Sequence, residues 1–117
     1  MLTIRPQQMA ALGAYARDQF EANALREMME EWPEEAERLG EDALRLQIKA
    51  GVTKAMRYGI EARSDVLDFL SLMMEWGPDF EMSPAYPWAQ VILAAKNPGT
   101  LKIQQLEARF DPLRILP

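Results

Sequence analysis

One stretch constrains this chain more than any other. Residues 58–78 read as the end of one helix, a short turn, and a complete second helix with its own start and stop. Tyr58-Gly59-Ile60 closes the first helix, because Gly59 can take the left-handed backbone that ends a helix without a Cβ clash. Ser64 or Asp65 can then accept hydrogen bonds from the unpaired N–H groups that open the next helix. Gly77-Pro78 stops it, since proline has no N–H with which to continue the ladder. Between these signals Val66, Phe69, Leu70, Met73 and Trp76 recur at helical spacing, so one wide face must be buried. Such a helix is expected at the centre of a bundle.

The same punctuation divides the rest of the chain. Residues 1–5 read as extended, and Pro6 can open a long helix over residues 6–31. Met9, Leu12, Ala16, Phe20, Ala24 and Met28 fall near one face of it, and Tyr15 and Leu25 widen that face. Gly13, inside this helix, predicts a close neighbour. Trp32-Pro33 interrupts, and Pro33 starts a short helix that stops at Gly40, with Glu34 and Glu35 in the first turn where the dipole favours anions. Residues 41–58 form a third helix with Leu44, Ile48, Val52, Ala55 and Met56 as its stripe and Leu46 at its edge; Gly51 again predicts close approach. Residues 79–87 are a proline-set loop whose aromatics should pack back on the body. Pro87-Trp88 starts a fifth helix through Val91, Ile92, Leu93 and Ala95, which ends at Asn97-Pro98-Gly99. Thr100 caps a sixth, with Leu101, Ile103, Leu106 and Phe110 as apolar positions, and Asp111-Pro112 stops it. Leu113, Ile115 and Leu116 then make an apolar tail that either docks or binds something. The expected fold is all-α, a compact single-domain bundle over residues 1–117 of about five to six helices.

Composition excludes several functions. The chain has no Cys and no His, which removes disulfides, thiolate metal sites, the commonest general base and the usual neutral-pH switch. Apolar residues at 49% and charged residues at 26% are those of a folded globular protein. A net charge of -5 disfavours phosphate backbones, so no nucleic-acid partner is expected. No apolar run approaches the roughly 20 residues that span a bilayer. The start, Met1-Leu2-Thr3-Ile4-Arg5-Pro6, has no signal-peptide pattern, so a cytoplasmic location is expected. There is no calcium-hand loop, no Gly-rich phosphate loop and no Gly-x-Ser-x-Gly around Ser64, Ser71 or Ser83. Asp65 with Asp68, or Asp79 with Glu81, could run acid–base chemistry, but helix capping accounts for the first pair equally well. The expectation is a non-enzymatic chain without metal or cofactor.

What remains points to contact with another protein. Glu27, Glu30, Glu31, Glu34, Glu35 and Glu37 form a dense acidic run, which is either a solvated helix junction or a surface for a basic partner. Met28-Met29 and Met73-Met74 are adjacent pairs on helices; one of each pair should face away from the core, where Met suits an adaptable groove. Trp32, Trp76, Trp88, Phe80 and Tyr86 are either bundle plugs or interface anchors. The candidate contact set is Met29, Trp32, Met74, Phe80 and Tyr86, with Glu30, Glu31 and Glu34 as its acidic rim. Exposed Met and aromatic groups also leave a homodimer open.

The order Gly51, Tyr58-Gly59-Ile60, Asp65-Val66, Leu72-Met73, Gly77, Asp79-Phe80 and Pro87-Trp88-Ala89 resembles that of small helical bacterial proteins encoded beside type VI secretion effectors and their adaptors. The resemblance covers roughly residues 2–110, and its motifs are structural. It implies an accessory role: a co-adaptor or chaperone that binds the adaptor loading a toxin onto the secretion spike. It carries no active site. The alternative is an immunity protein whose acidic surface blocks the positive groove of a cognate toxin, and a third is an unrecognised hydrolase using Asp65 or Asp79.

Overall fold

The computed structural model describes residues 13–110. Among these residues the chain forms six α-helices: α1 Ala14–Glu31, α2 Pro33–Leu39, α3 Glu41–Arg57, α4 Arg63–Trp76, α5 Pro87–Ala94 and α6 Gly99–Phe110, with a 3-10 turn at Phe80–Met82. The expectations for the extended start, for Met9 and Leu12, for the stop at Asp111-Pro112 and for the apolar tail lie outside the described residues. The fold is the all-α bundle that the helix punctuation predicts. No described helix is long and apolar enough to cross a membrane.

α4 is the central helix. It packs on α3, α6 and α1. Val66 and Phe69 are fully enclosed, and Leu70, Leu72, Met73 and Met74 are buried too. Burial on several sides overturns one expectation: Met73 and Met74 both face protein. Met73 packs beside Gly51 and the Met74 sulfur lies next to Gln47, both on α3, while the outward side of α4 carries Ser64, Asp68 and Glu75. Gly51 behaves as predicted. A Cβ there would lie 2.5 Å from Leu70 Cδ2 and 2.8 Å from Met73 Sδ, so the missing side chain lets α3 approach α4. Gly59 and Gly77 stop their helices in the left-handed region, at φ of 80° and 108°.

The start of α4 differs from expectation. Its N-cap residue is Ala62, and no side chain caps it. Asp65, buried inside the first turn, instead accepts a hydrogen bond from the Thr100 hydroxyl of α6 at 2.6 Å. Thr100 is therefore spent on a neighbouring helix rather than on capping its own. On α1, Phe20, Ala24, Leu25 and Met28 are buried, as the apolar spacing requires. Tyr15 is 77% exposed and Gly13 has nothing within 4 Å of a would-be Cβ, so neither serves the core. Tyr15 stands one residue from the row through Ala16 and Phe20, and a step of roughly 100° turns it outward.

α6 is tied down by two close contacts. The buried Lys102 ammonium donates to the carbonyls of Tyr58, at 2.6 Å, and Leu93, at 2.7 Å. Both acceptors lie where α3 and α5 end and their carbonyls lack partners within the helix. Burial pushes the Lys102 pKa down. At the start of α6 the backbone itself is the neighbour: a Cβ on Gly99 would come 2.7 Å from the Gly59 carbonyl oxygen and 2.8 Å from Ile60 Cα. Backbone cannot yield as a side-chain tip can. Gly99→Ala is therefore expected to cost about 2 kcal/mol, within the range for overpacking, read as a lowered denaturant midpoint at unchanged slope.

Candidate interaction surface

The corner between α1 and α2 turns on one residue. Trp32 is both the last cap of α1 and the first cap of α2, with φ -128° and ψ 59°. Its N–H donates to the Met28 carbonyl at 2.8 Å, and its own carbonyl accepts from Ala36 N at 2.9 Å. Pro33 follows at the first position of α2, where its missing N–H costs nothing. This geometry splits the first methionine pair as predicted: Met28 is buried and Met29 is 41% exposed. Trp32 is half-buried and packs against the core from outside.

Charge is concentrated at the same corner. Residues 27–42 hold eight carboxylates and one guanidinium, that of Arg38, a net of −7 against −5 for the whole chain. The remainder of the molecule is thus slightly basic. Glu27, Glu30, Glu31, Glu34 and Glu37 are exposed. Arg38 pairs with Glu35, and Arg45 pairs with Glu41 at 2.6 Å. Among the described residues Glu30, Glu31 and Glu34 make no ion pair. Three like charges close together in sequence, with Met29 just before them and Trp32 among them, set apolar side chains beside acidic ones.

Of the predicted contact set, Met29, Glu30, Glu31 and Glu34 are exposed and Trp32 half-buried, and all five lie in sequence at this corner. The structure does not place the other three on that surface. Phe80 is 1% exposed and belongs to the core. Met74 is buried; its sulfur accepts from Gln47 Nε2 at 3.6 Å, and it lines a cleft shared with Glu35, Arg38, Leu39, Gly77 and Pro78. Tyr86 is half-buried in an aromatic cluster on other elements. Its ring centroid lies 5.7 Å from that of Trp76 and 5.0 Å from that of Phe110. Trp76 and Phe110 stack at 4.4 Å, and Trp88 closes the cluster edge-on to Phe110 at 4.7 Å. These aromatics close the end of the bundle between α4, α5 and α6.

The carboxylates weighed for acid–base chemistry have other partners. Lys54 Nζ lies 2.9 Å from Asp79 Oδ1, 2.9 Å from Glu81 Oε2 and 2.8 Å from the Pro78 carbonyl. Burial pulls the Lys54 pKa down, but the two carboxylates outweigh it, and the net shift is upward. Glu81 is deeply buried, and nothing in the spacing of residues 54 and 81 announces this pair. The exposed positions that sequence patterning missed are Leu46, Met82 and Val91, each at least two-thirds exposed. A signal for the last two exists: residues 82–95 contain no charged residue. Among the described residues no group of His, Cys, Asp and Glu could hold a metal ion. No protein-family model, curated protein or solved structure matches the chain.

Proposed function

We propose that this chain is a non-enzymatic, cytoplasmic protein-binding accessory that docks a basic partner on the corner between α1 and α2. The observation that carries this reading is the charge of −7 over residues 27–42 around the exposed Met29 and half-buried Trp32. An acidic rim steers a basic partner and discriminates against acidic ones, while the apolar pair supplies contact area. The resemblance to accessory proteins of type VI secretion names the partner: an effector adaptor, with this chain as co-adaptor or chaperone. The immunity reading draws on the same charge, since a toxin with a positive groove would meet the same surface.

Co-purification of the chain with the products of genes adjacent to its own separates these readings. Capture of an adaptor without a toxin is the expected outcome. Capture of a toxin with loss of its activity would establish the immunity reading instead. Failure to bind any of them at micromolar concentration would contradict both.

A further inference from the structure

We infer that the groove between α2, α3 and the end of α4 takes a short extended peptide segment in which apolar and basic side chains alternate. Two hollows lie there, of about 240 Å³ and about 350 Å³, and they share Gln47, Met73 and Pro78 as lining. Leu39 of α2 lines the first, and Leu46 of α3, 67% exposed, lines the second. Met73, common to both, has an unbranched thioether that can shift to fit side chains of different shape. Side chains at i and i+2 of an extended segment point the same way, so one segment can set an apolar group into each hollow. Gln47 stands where the hollows meet. Its Nε2 donates to the Met74 sulfur at 3.6 Å, a weak acceptor, and its side-chain carbonyl has no partner among the described residues. That amide is placed to bond the main chain of a segment laid across it.

Charge decides the occupant. In the first hollow Arg38 is matched by Glu35, which leaves Glu75 over. Glu75 is exposed and makes no ion pair among the described residues. In the second hollow Lys54 faces both Asp79 and Glu81, so its charge is outweighed. The groove thus favours Lys or Arg beside the apolar groups and disfavours Asp or Glu. A second copy, at a net -5, is a poorer match than a basic chain. That the segment comes from the basic partner rests on the function proposed above; the preference of the groove does not.

NMR titration of the full chain, isotope-labelled at its methionine methyls, tests this with a capped peptide of alternating lysine and leucine. The Met73 and Met74 methyls should shift, and that of the buried Met28 should not. Leu46→Glu should raise the Kd at least about ten-fold. Glu75→Lys, the second variant should the first fail to fold, should act in the same direction. A shift at Met29 alone puts the peptide on the corner, which keeps the proposed function and overturns this inference. A peptide with glutamate in place of lysine that binds as tightly overturns it too. So does the absence of any methyl shift at millimolar peptide, or a Met73 and Met74 shift that follows the chain's own concentration, the mark of a second copy. Groove shifts as expected with no partner found by co-purification would strike the proposed function and leave this inference standing.

Discussion

Phe80→Ala is expected to remove about 4 kcal/mol of folding stability and to lower Tm by about 15 °C. Phe80 is 1% exposed, on the short turn against which α5 packs. Its ring lies 5.7 Å from that of Phe69 and 5.6 Å from that of Phe110. Those neighbours are rigid rings with two side-chain torsions each, so the site collapses poorly and most of the cavity remains. Thermal melting followed by circular dichroism reads the effect. A loss below about 1 kcal/mol would place Phe80 outside the core, the role a surface anchor would give it. Phe80→Leu keeps most of the volume and should cost less than half as much.

Lys54→Met is expected to cost about 3 kcal/mol, because it strands a carboxylate in the interior. The Glu81 side chain is 3% exposed and pairs with Lys54; Asp79, the other partner, is 76% exposed and can turn to water. Glu81→Leu in the Lys54→Met background should therefore recover most of the loss, since replacing both partners removes the uncompensated charge. Asp79→Asn should cost no more than about 1 kcal/mol, as exposed ion pairs do. The alkaline limb carries a sign. Lys54 has its pKa raised in the folded chain, so its contribution is fully present below the ordinary lysine value of 10.5 and is lost as pH rises through the higher folded value. Urea midpoints of wild type and Lys54→Met should converge only above that value. A constant gap across it, or a double variant no more stable than the single one, would contradict the pairing.

How much of this was legible in the sequence depends on range. Glycine and proline act locally, through the backbone of their own residue. Gly40, Gly59 and Gly77 therefore marked three helix ends, and Pro33 and Pro87 two helix starts. Gly51 pointed to a close approach because a mid-helix glycine has few other uses, though its neighbours Leu70 and Met73 could not be named. Contacts made across the fold left no such mark. Asp65 looked like a cap and is instead bonded to Thr100 of α6. Phe80 and Met74 looked available for a partner and are enclosed. On the candidate surface, Met29 was legible because Met28 took the inward position beside it. The acidic rim was legible because charge density needs no tertiary information. Tyr86 packs on Trp76 and Phe110, as the number of aromatics in its loop suggested, but a loop aromatic carries no period to say which rings it will meet.

The account rests on a division of labour: enclosed bulky side chains hold the bundle, and the charged corner makes the contact. Titration calorimetry of the candidate adaptor with wild type and with Glu30→Lys/Glu31→Lys/Glu34→Lys, at low and high salt, tests that division most directly. The three glutamates are exposed, so Tm should stay within a few degrees. The account predicts a Kd raised at least about ten-fold, the equivalent of about 1.4 kcal/mol, and a much weaker salt dependence than wild type shows. Equal affinity and equal salt dependence in the two proteins would contradict it.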